Sequence, residues 1–505
     1  MRLVPEMPGV PDDAVGLRAA NARLRELLAV RDAEIAVLRG QVAELGALRA
    51  RAAELLAEAA GLQAQVADLA ARVSQNSQNS SKPPSSDGLA KPAPKSLRKA
   101  SGRKPGRPKG QPGATMALTD DPDWRVRHVP SCCAGCGESL AGAAETGMER
   151  RQVTEIPPAR AEVTEHQLIE VECGGCGTRT KGQAPAGVSA PVQYGPRIAA
   201  IGVYLWHGQF LSRDRACQAM ADLFGCAPSP GALASMAGKA ARLIAPALKA
   251  IVSALAGAEV AHFDETGFRT AGKLAWVHSA SSGKYVLVTV HAKRGKEGMK
   301  AAGVLPSFAG IACHDAWKPY DSYSGVAGHA LCCSHLLREL AAVTETGTDD
   351  DVTWARQAVD ALLELKDAAD AARAAGQAAI DPEILEKHGG WFRDAAGAGT
   401  ALNAARRTKL QKKRHALATR MAGRADDYLR YAHDLRVPFD NNEAERVIRM
   451  SKLRIKVSGC MRSTAGAENF CAIRSYLATA SRHGIGWLDA LTRAAEGNPW
   501  IPDTT

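Results

Sequence analysis

The chain lacks several things. It has no uninterrupted apolar run approaching the length of about 18 residues that a membrane span needs. The stretch Met1 to Asp12 does not join a basic start to an apolar run, so no secretory leader is expected. Without a leader, the twelve cysteines argue for metal ligands and buried thiols in a reducing cytosol, not for disulfides. Between Lys82 and Lys109 aromatics are absent, and nine Lys or Arg face a single acid, Asp87. This Pro-rich stretch accounts for most of the net charge of +11 and cannot bury a core. Its expected partner is a polyanion, nucleic acid before membrane.

What is present falls into segments, as 505 residues lead one to expect. Residues 14–74 are rich in Ala, Glu and Arg. Leu17, Ala20, Leu24 and Leu27 begin a seam that is disturbed near Arg31. It resumes as Leu45, Leu48, Ala52, Leu55, Ala59, Leu62, Val66, Leu69 and Val73. Steps of three and four predict a coiled-coil helix that self-associates, against a helix packing on its own chain. Residues 75–118 form a Ser/Pro-rich basic linker. Within it Arg103, Lys104, Arg107 and Lys109 make an AT-hook-like run suited to a narrow minor groove.

Two C-x-x-C-G knuckles follow, Cys133/Cys136 and Cys173/Cys176, which predict a zinc ribbon over 125–180. Four thiolates make a closed, structural Zn²⁺ site, with Cys132 a bystander and 163–171 a strand between the knuckles. Residues 190–257 read as helices broken before Ser229-Pro230, either a helix-turn-helix-like DNA-binding unit or a plain spacer. From 258 the pattern turns to strands. Val260 to Asp264 is an apolar run ending in an acid. Two strands follow (273–280 and 284–290), then a helix (295–303), a strand over 310–315 that ends at Asp315, and a fifth strand over 330–333. Three antiparallel strands, a helix and a parallel strand form an α/β, ribonuclease-H-like pattern. It comprises 258–350 and 438–460, with an all-helical insertion at 351–437 that presents a basic face (Arg406, Arg407, Lys412, Lys413, Arg414). A helical tail at 461–505 is pinned by Trp487 and Leu491.

The stretch Asp440-Asn441-Asn442-Glu443-Ala444-Glu445 opens a helix, its Asp and Asn residues being candidate N-caps. Arg446, Arg449, Lys452 and Arg454 follow as DNA-facing cations. Asp264, Asp315 and one glutamate of this helix are carboxylates suited to Mg²⁺ or Mn²⁺ and to two-metal phosphoryl transfer. Glu443 and Glu445 point about 200° apart on a helix, and spacing does not choose between them. Glu265 is the weaker strand candidate. His262, His314, Trp317, His335 and Arg338 are candidate neighbours of the site.

These segments jointly resemble the bacterial transposases of the insertion sequence 66 family. The resemblance rests on SQNSSKPPSSD, the two knuckles, HFDETGFR, HDAWKPY, HALCCSHLLREL, DNNEAERVIRM and RSTAGAENFCAIRSYLATASRHG. It implies a multidomain DDE transposase with a ribonuclease-H-like catalytic core. Such an enzyme cuts the terminal inverted repeats of its element and joins them to target DNA with divalent metal. In the family pattern the last acid of D-N-N-x-A-E-R is catalytic, which implies Glu445. The resemblance also implies two small accessory proteins and a cytoplasmic, nucleoid-associated setting. The chain departs from the pattern at Cys332-Cys333-Ser334 and at Gly459-Cys460-Met461.

Overall fold

The computed structural model describes residues 14–80 and 116–503. The basic linker with Arg103, Lys104, Arg107 and Lys109 lies outside the described residues. The chain divides into two compact units. Among the described residues, one comprises 14–80 and 333–435, the other 116–332 and 436–503.

The first unit is all-helical. Helix α1 (Ala14–Val73) runs unbroken for 60 residues, through the disturbed seam at Arg31, where an Arg31–Glu34 pair replaces apolar contact. None of its residues is buried, and the seam residues Leu45, Leu48, Leu55, Leu62, Val66 and Leu69 are all exposed. The polar run after α1 folds into a tight turn: Asn79 is buried, and its amide donates to Glu345 at 2.6 Å. Helices α7 (Cys333–Thr346), α8 (Asp349–Ala374), α9 (Pro382–Leu402), α10 (Lys409–Gly423) and α11 (Ala425–His433) pack through alanines and a few large residues, Trp354, Phe392 and Tyr428 among them. Arg414 departs from the expected basic face. It is buried and donates to Asp351 at 2.8 Å, because a carboxylate placed in the helix core requires a cation beside it.

The second unit begins with the cysteine knuckles, whose regular structure is sparse. Strands β1 (Glu170–Glu172) and β2 (Arg179–Lys181) form a hairpin around the second knuckle. The strand expected over 163–171 shrinks to its end: β1 begins at Glu170, the Ile169 carbonyl before it accepts from the Gly182 amide at 2.9 Å, and Val163 is exposed. Next come α2 (Pro196–Val203), a π-turn at Tyr204–Gly208, α3 (Arg213–Phe224), α4 (Pro230–Leu243) and α5 (Ala245–Ala256). Ser229 caps α4 as expected, accepting from the Ala232 amide at 3.1 Å. These helices share one core with the tail helices α13 (Thr464–Arg482) and α14 (Trp487–Ala495): Leu233, Ile244, Ile473, Tyr476 and Leu491 all belong to it.

The sheet contains β3 (Val260–Thr270), β4 (Lys273–Ser281), β5 (Val286–His291), β6 (Ile311–His314) and β7 (Gly328–Leu331), in the order β5-β4-β3-β6-β7. The hairpins β3–β4 and β4–β5 are antiparallel; β6 and β7 run parallel to β3. One face packs on α5, α6 (Lys296–Ala301) and Phe308; the other, with Phe268, Val277, Val286 and Val288, packs on Met461 and Phe470. Edge strand β5 is closed by hydroxyls of α13. Ser475 accepts from the Val288 amide at 2.8 Å, and Thr479 accepts from that of Val286 at 3.1 Å, which satisfies groups an edge would otherwise leave open. Helix α12 (Asn442–Ser458) lies against β3 and β4. Met461, one of the departures from the family pattern, fills the core and pairs its backbone with the β3–β4 turn.

Candidate active site and zinc finger

Strand β3 does not end at Asp264, as the Glu-Thr-Gly sequence suggested. The β4 partner continues its ladder to Thr270–Lys273, so Asp264 sits in mid-strand opposite Ser279. What ends at this level is the parallel pairing, whose last partners are His262 and Cys313. Carried two residues further, the same offset places Asp264 level with Asp315, the residue that leaves β6. Strand alternation gives Asp264 the parity of Phe268, on the face against which α12 packs. Glu445 lies in the first turn of that helix.

The three acids share one electrostatic field. Burial pushes the Asp264 carboxyl well above its ordinary value. The charges of Glu265, Asp315 and Glu445 push the same way, against a hydrogen bond from the Glu265 amide. Among the described residues, no three His, Cys, Asp or Glu side chains converge tightly enough to hold an ion. The acids are thus neighbours whose donor chemistry suits a hard divalent cation. Asp315 is oriented by the Trp317 amide, which donates to its Oδ1 at 3.2 Å.

Asn441 does not cap α12 with its side chain. It is buried and reaches β3: its Oδ1 lies 2.8 Å from His262 Nδ1, and its Nδ2 donates to the Phe263 carbonyl at 2.8 Å. Asp440 makes the local turn instead, accepting from the Asn442 amide at 3.0 Å. Glu443 pairs with Arg482 at 2.8 Å and approaches His262 at 3.7 Å. His262 therefore serves the junction of helix and strand.

Glu265 is a buried hub that sequence reasoning undervalued. Its Oε1 accepts from Arg294 Nε and Nη2 at 3.0 and 2.8 Å, and its Oε2 accepts from the Tyr320 hydroxyl at 2.6 Å. The Arg294 guanidinium lies 4.0 Å from the centre of the Trp317 ring and 5.0 Å from that of Trp276. This network ties Asp264's neighbour to the turn that follows Asp315. His314 is fully buried, stacked on Tyr320 at 4.4 Å and 2.9 Å from His329, and its Nδ1 meets the Asp315 carbonyl. His335 and Arg338 belong to the helical unit; burial first, then Arg338 and Arg420, push His335 down to about 4. Of the cations on α12, Arg446 and Arg449 are exposed and Lys452 half-buried. Arg454 is turned inward, donating to the Gly459 carbonyl at 2.8 Å, because the helix face that carries it packs on the protein.

The cysteine knuckles have matching backbones. The Gly137 amide donates to Cys133 O at 2.9 Å, and that of Gly177 to Cys173 O at 2.8 Å. Both glycines take a left-handed φ, +77° and +72°, which strains any residue with a Cβ. Amides of Cys136 and Gly135 pull the Cys133 thiol below its usual value; the Thr178 side chain does the same for Cys176. Such donor-stabilised thiol pairs fit a thiophilic ion. Cys132 stands outside the knuckle, its backbone bridging to Ser139.

Three family models match the chain. Residues 19–117 match a family of unknown function, and residues 130–177 match the zinc-finger binding domain of transposase IS66. Residues 191–469, more than half of the chain, match the Transposase IS66 family. No curated relative matches. The zinc-finger match supports Zn²⁺ binding, and no described helix is long and apolar enough to cross a membrane. With a zinc-finger segment ahead of a mixed five-stranded sheet, and a transposase model spanning that sheet and α12, the chain belongs to the IS66 transposase family.

Proposed function

We propose that the chain is a DDE transposase. It binds the terminal inverted repeats of its element, cuts the DNA strands there and transfers them to target DNA. The observation that carries this reading is the shared field of Asp264, Asp315 and Glu445, contributed by adjacent parallel strands and the helix packed over them. The strand order, with three antiparallel strands and two more parallel to the first, supports a ribonuclease-H-like core. Asp264, Asp315 and Glu445 would hold Mg²⁺ or Mn²⁺, which supplies Lewis-acid activation and charge neutralisation in phosphoryl transfer. The protein's own share is placement: Asn441 fixes α12 on β3, the Trp317 amide orients Asp315, and Glu265 holds the Asp315 turn. Arg446, Arg449 and Lys452 contact DNA phosphates, aided by Arg103, Lys104, Arg107 and Lys109 of the linker.

Cys133, Cys136, Cys173 and Cys176 would form one structural Zn²⁺ site that presents the ribbon to the element ends. The exposed seam of α1 joins copies of the chain as a coiled coil. Two small accessory proteins of the element act with it. Incubating purified protein and Mg²⁺ with labelled element ends and a target plasmid tests the reading. Joined products are expected. Hydrolysis alone would reduce the assignment to a nuclease, and DNA binding without any cleavage would reduce it to a zinc-finger DNA-binding protein.

A further inference from the structure

A groove of about 330 Å³ opens between α12, α13 and β5. Its floor is apolar, formed by Val286, Val288, Val447 and Met450, while Arg446 and Arg449 stand on its rim. Arg474 also lines it and is 8 % exposed. That guanidinium stacks over Trp487 at 4.8 Å and Phe210 at 5.0 Å, with one long hydrogen bond, 3.4 Å, to the Gly208 carbonyl. A fourth arginine of the lining, Arg482, is already engaged by Glu443. Among the described residues no carboxylate pairs with Arg446, Arg449 or Arg474; Arg446 Nε donates instead to the Asn442 carbonyl at 3.2 Å.

Arg446 and Arg449 are exposed at the rim with no carboxylate to neutralise them, so their charges are open to an incoming anion, while Arg474 stays stacked in the wall. A bare phosphate gains nothing from an apolar floor, and a lipid-like tail has no long slot to enter. The fitting chemistry is an anion that carries a flat, largely apolar group. The volume stands at the lower end of the roughly 300–1,000 Å³ typical of small-ligand pockets. It admits a single base, and a base can reach the floor only by leaving its stack, at a cost of a few kcal/mol.

We propose that this groove takes one unpaired deoxyribonucleotide of the DNA strand, its base on the Val288–Met450 floor and its phosphate on Arg446 and Arg449. The proposal deepens the transposase reading and rests on it for the identity of the polymer. Arg446 directly follows Glu445, so α12 carries both a wall of the groove and the last of the three acids. Binding in the groove holds that nucleotide out of the duplex and sets the register of the strand.

The test uses full-length Glu445→Gln protein and a duplex with one 2-aminopurine moved stepwise along it. Base unstacking raises the fluorescence of this probe. A severalfold rise confined to one or two positions is expected. Ala478→Phe, which fills the groove without removing a charge, should abolish the rise while duplex affinity stays nearly unchanged; Ala478→Met should reduce it. Arg446→Gln with Arg449→Gln should lower the slope of log affinity against log salt by about two. No rise at any position, or a rise that survives in a folded Ala478→Phe protein, overturns the proposal. A wild-type cleavage assay run beside it separates the two claims. Cleavage without a fluorescence rise removes the groove alone; a rise without cleavage removes the transposase reading and leaves a nucleotide-binding groove.

Discussion

The side chain of Asn441 bridges α12 and β3, meeting His262 Nδ1 at 2.8 Å and the Phe263 carbonyl at 2.8 Å. Glu445 stands one helical turn after Asn441, and its amide donates to the Asn441 carbonyl at 3.2 Å. The position of Glu445 thus depends on the side chain of Asn441. Asn441→Ala leaves a buried acceptor and a buried ring nitrogen without their partner, at a cost of about 2 kcal/mol. Thermal unfolding should show that loss. Cleavage at saturating DNA should fall further than the unfolded fraction explains, while DNA affinity holds. Unchanged cleavage would mean that α12 is held by packing alone.

Glu265 and Arg294 form the second support. Glu265→Ala leaves Tyr320 and Arg294 without their acceptor. The pair is buried on one side only, the Arg294 side chain being 38 % exposed, so a loss of about 2–3 kcal/mol is expected, below that of a fully buried pair. Glu265→Gln keeps the acceptor oxygen for Tyr320 and should restore much of the stability. If Glu265→Gln instead abolishes cleavage without loss of stability, Glu265 belongs to the catalytic set.

His207 predicts a pH dependence. It is fully buried, and neither ring nitrogen has a hydrogen-bond partner. Burial first, then the charges of Arg454 and Arg474, push it from 6.5 down to about 3. Because the folded value lies below the unfolded one, unfolded His207 takes up a proton that the folded form refuses. Stability is therefore full above pH 6.5 and declines toward pH 3, at up to about 1.4 kcal/mol per pH unit from this group. His207→Leu should remove that part of the slope in urea titrations at successive pH values, at little cost at neutral pH. An identical slope in the variant would show that the ring is protonated in the folded state.

Zinc removal tests the knuckles. The short β1–β2 hairpin is exposed, so little apolar burial supports 125–180. Chelation should make this segment sensitive to protease and weaken binding to element ends while sparing the sheet. Cys173→Ser should do the same without a chelator. Normal zinc content and normal DNA binding in that variant would remove Cys173 from the ligand set.

Elements with a local signature were legible in the sequence. The glycine after each C-x-x-C, the Ser229-Pro230 cap and the Ala-rich helices all resolve as read. What resisted reading depends on distant partners. The β3 strand runs past Asp264 because β4 continues beside it, which the Glu-Thr-Gly run conceals. Asn441 looks like a cap locally but bonds to residues 178 and 179 positions away. Glu443 acquires its role from Arg482, and Arg414 leaves the basic face for Asp351. Charge patterning gives the sign of such groups but not the direction they face. The signal that could have marked Glu265 was its place beside Asp264 on the opposite parity of the strand, with Tyr320 in the motif that follows Asp315.

The most direct measurement is Mg²⁺-dependent cleavage of labelled element ends by wild type, Asp264→Asn, Asp315→Asn, Glu445→Gln and Glu443→Gln proteins, with DNA affinity measured in parallel. The first three variants should fall to background while still binding DNA. Glu443→Gln should retain cleavage, weakened by the loss of its Arg482 pair. Cleavage that persists in any of the first three, or that disappears in Glu443→Gln while Glu445→Gln remains active, would contradict the assignment of Asp264, Asp315 and Glu445.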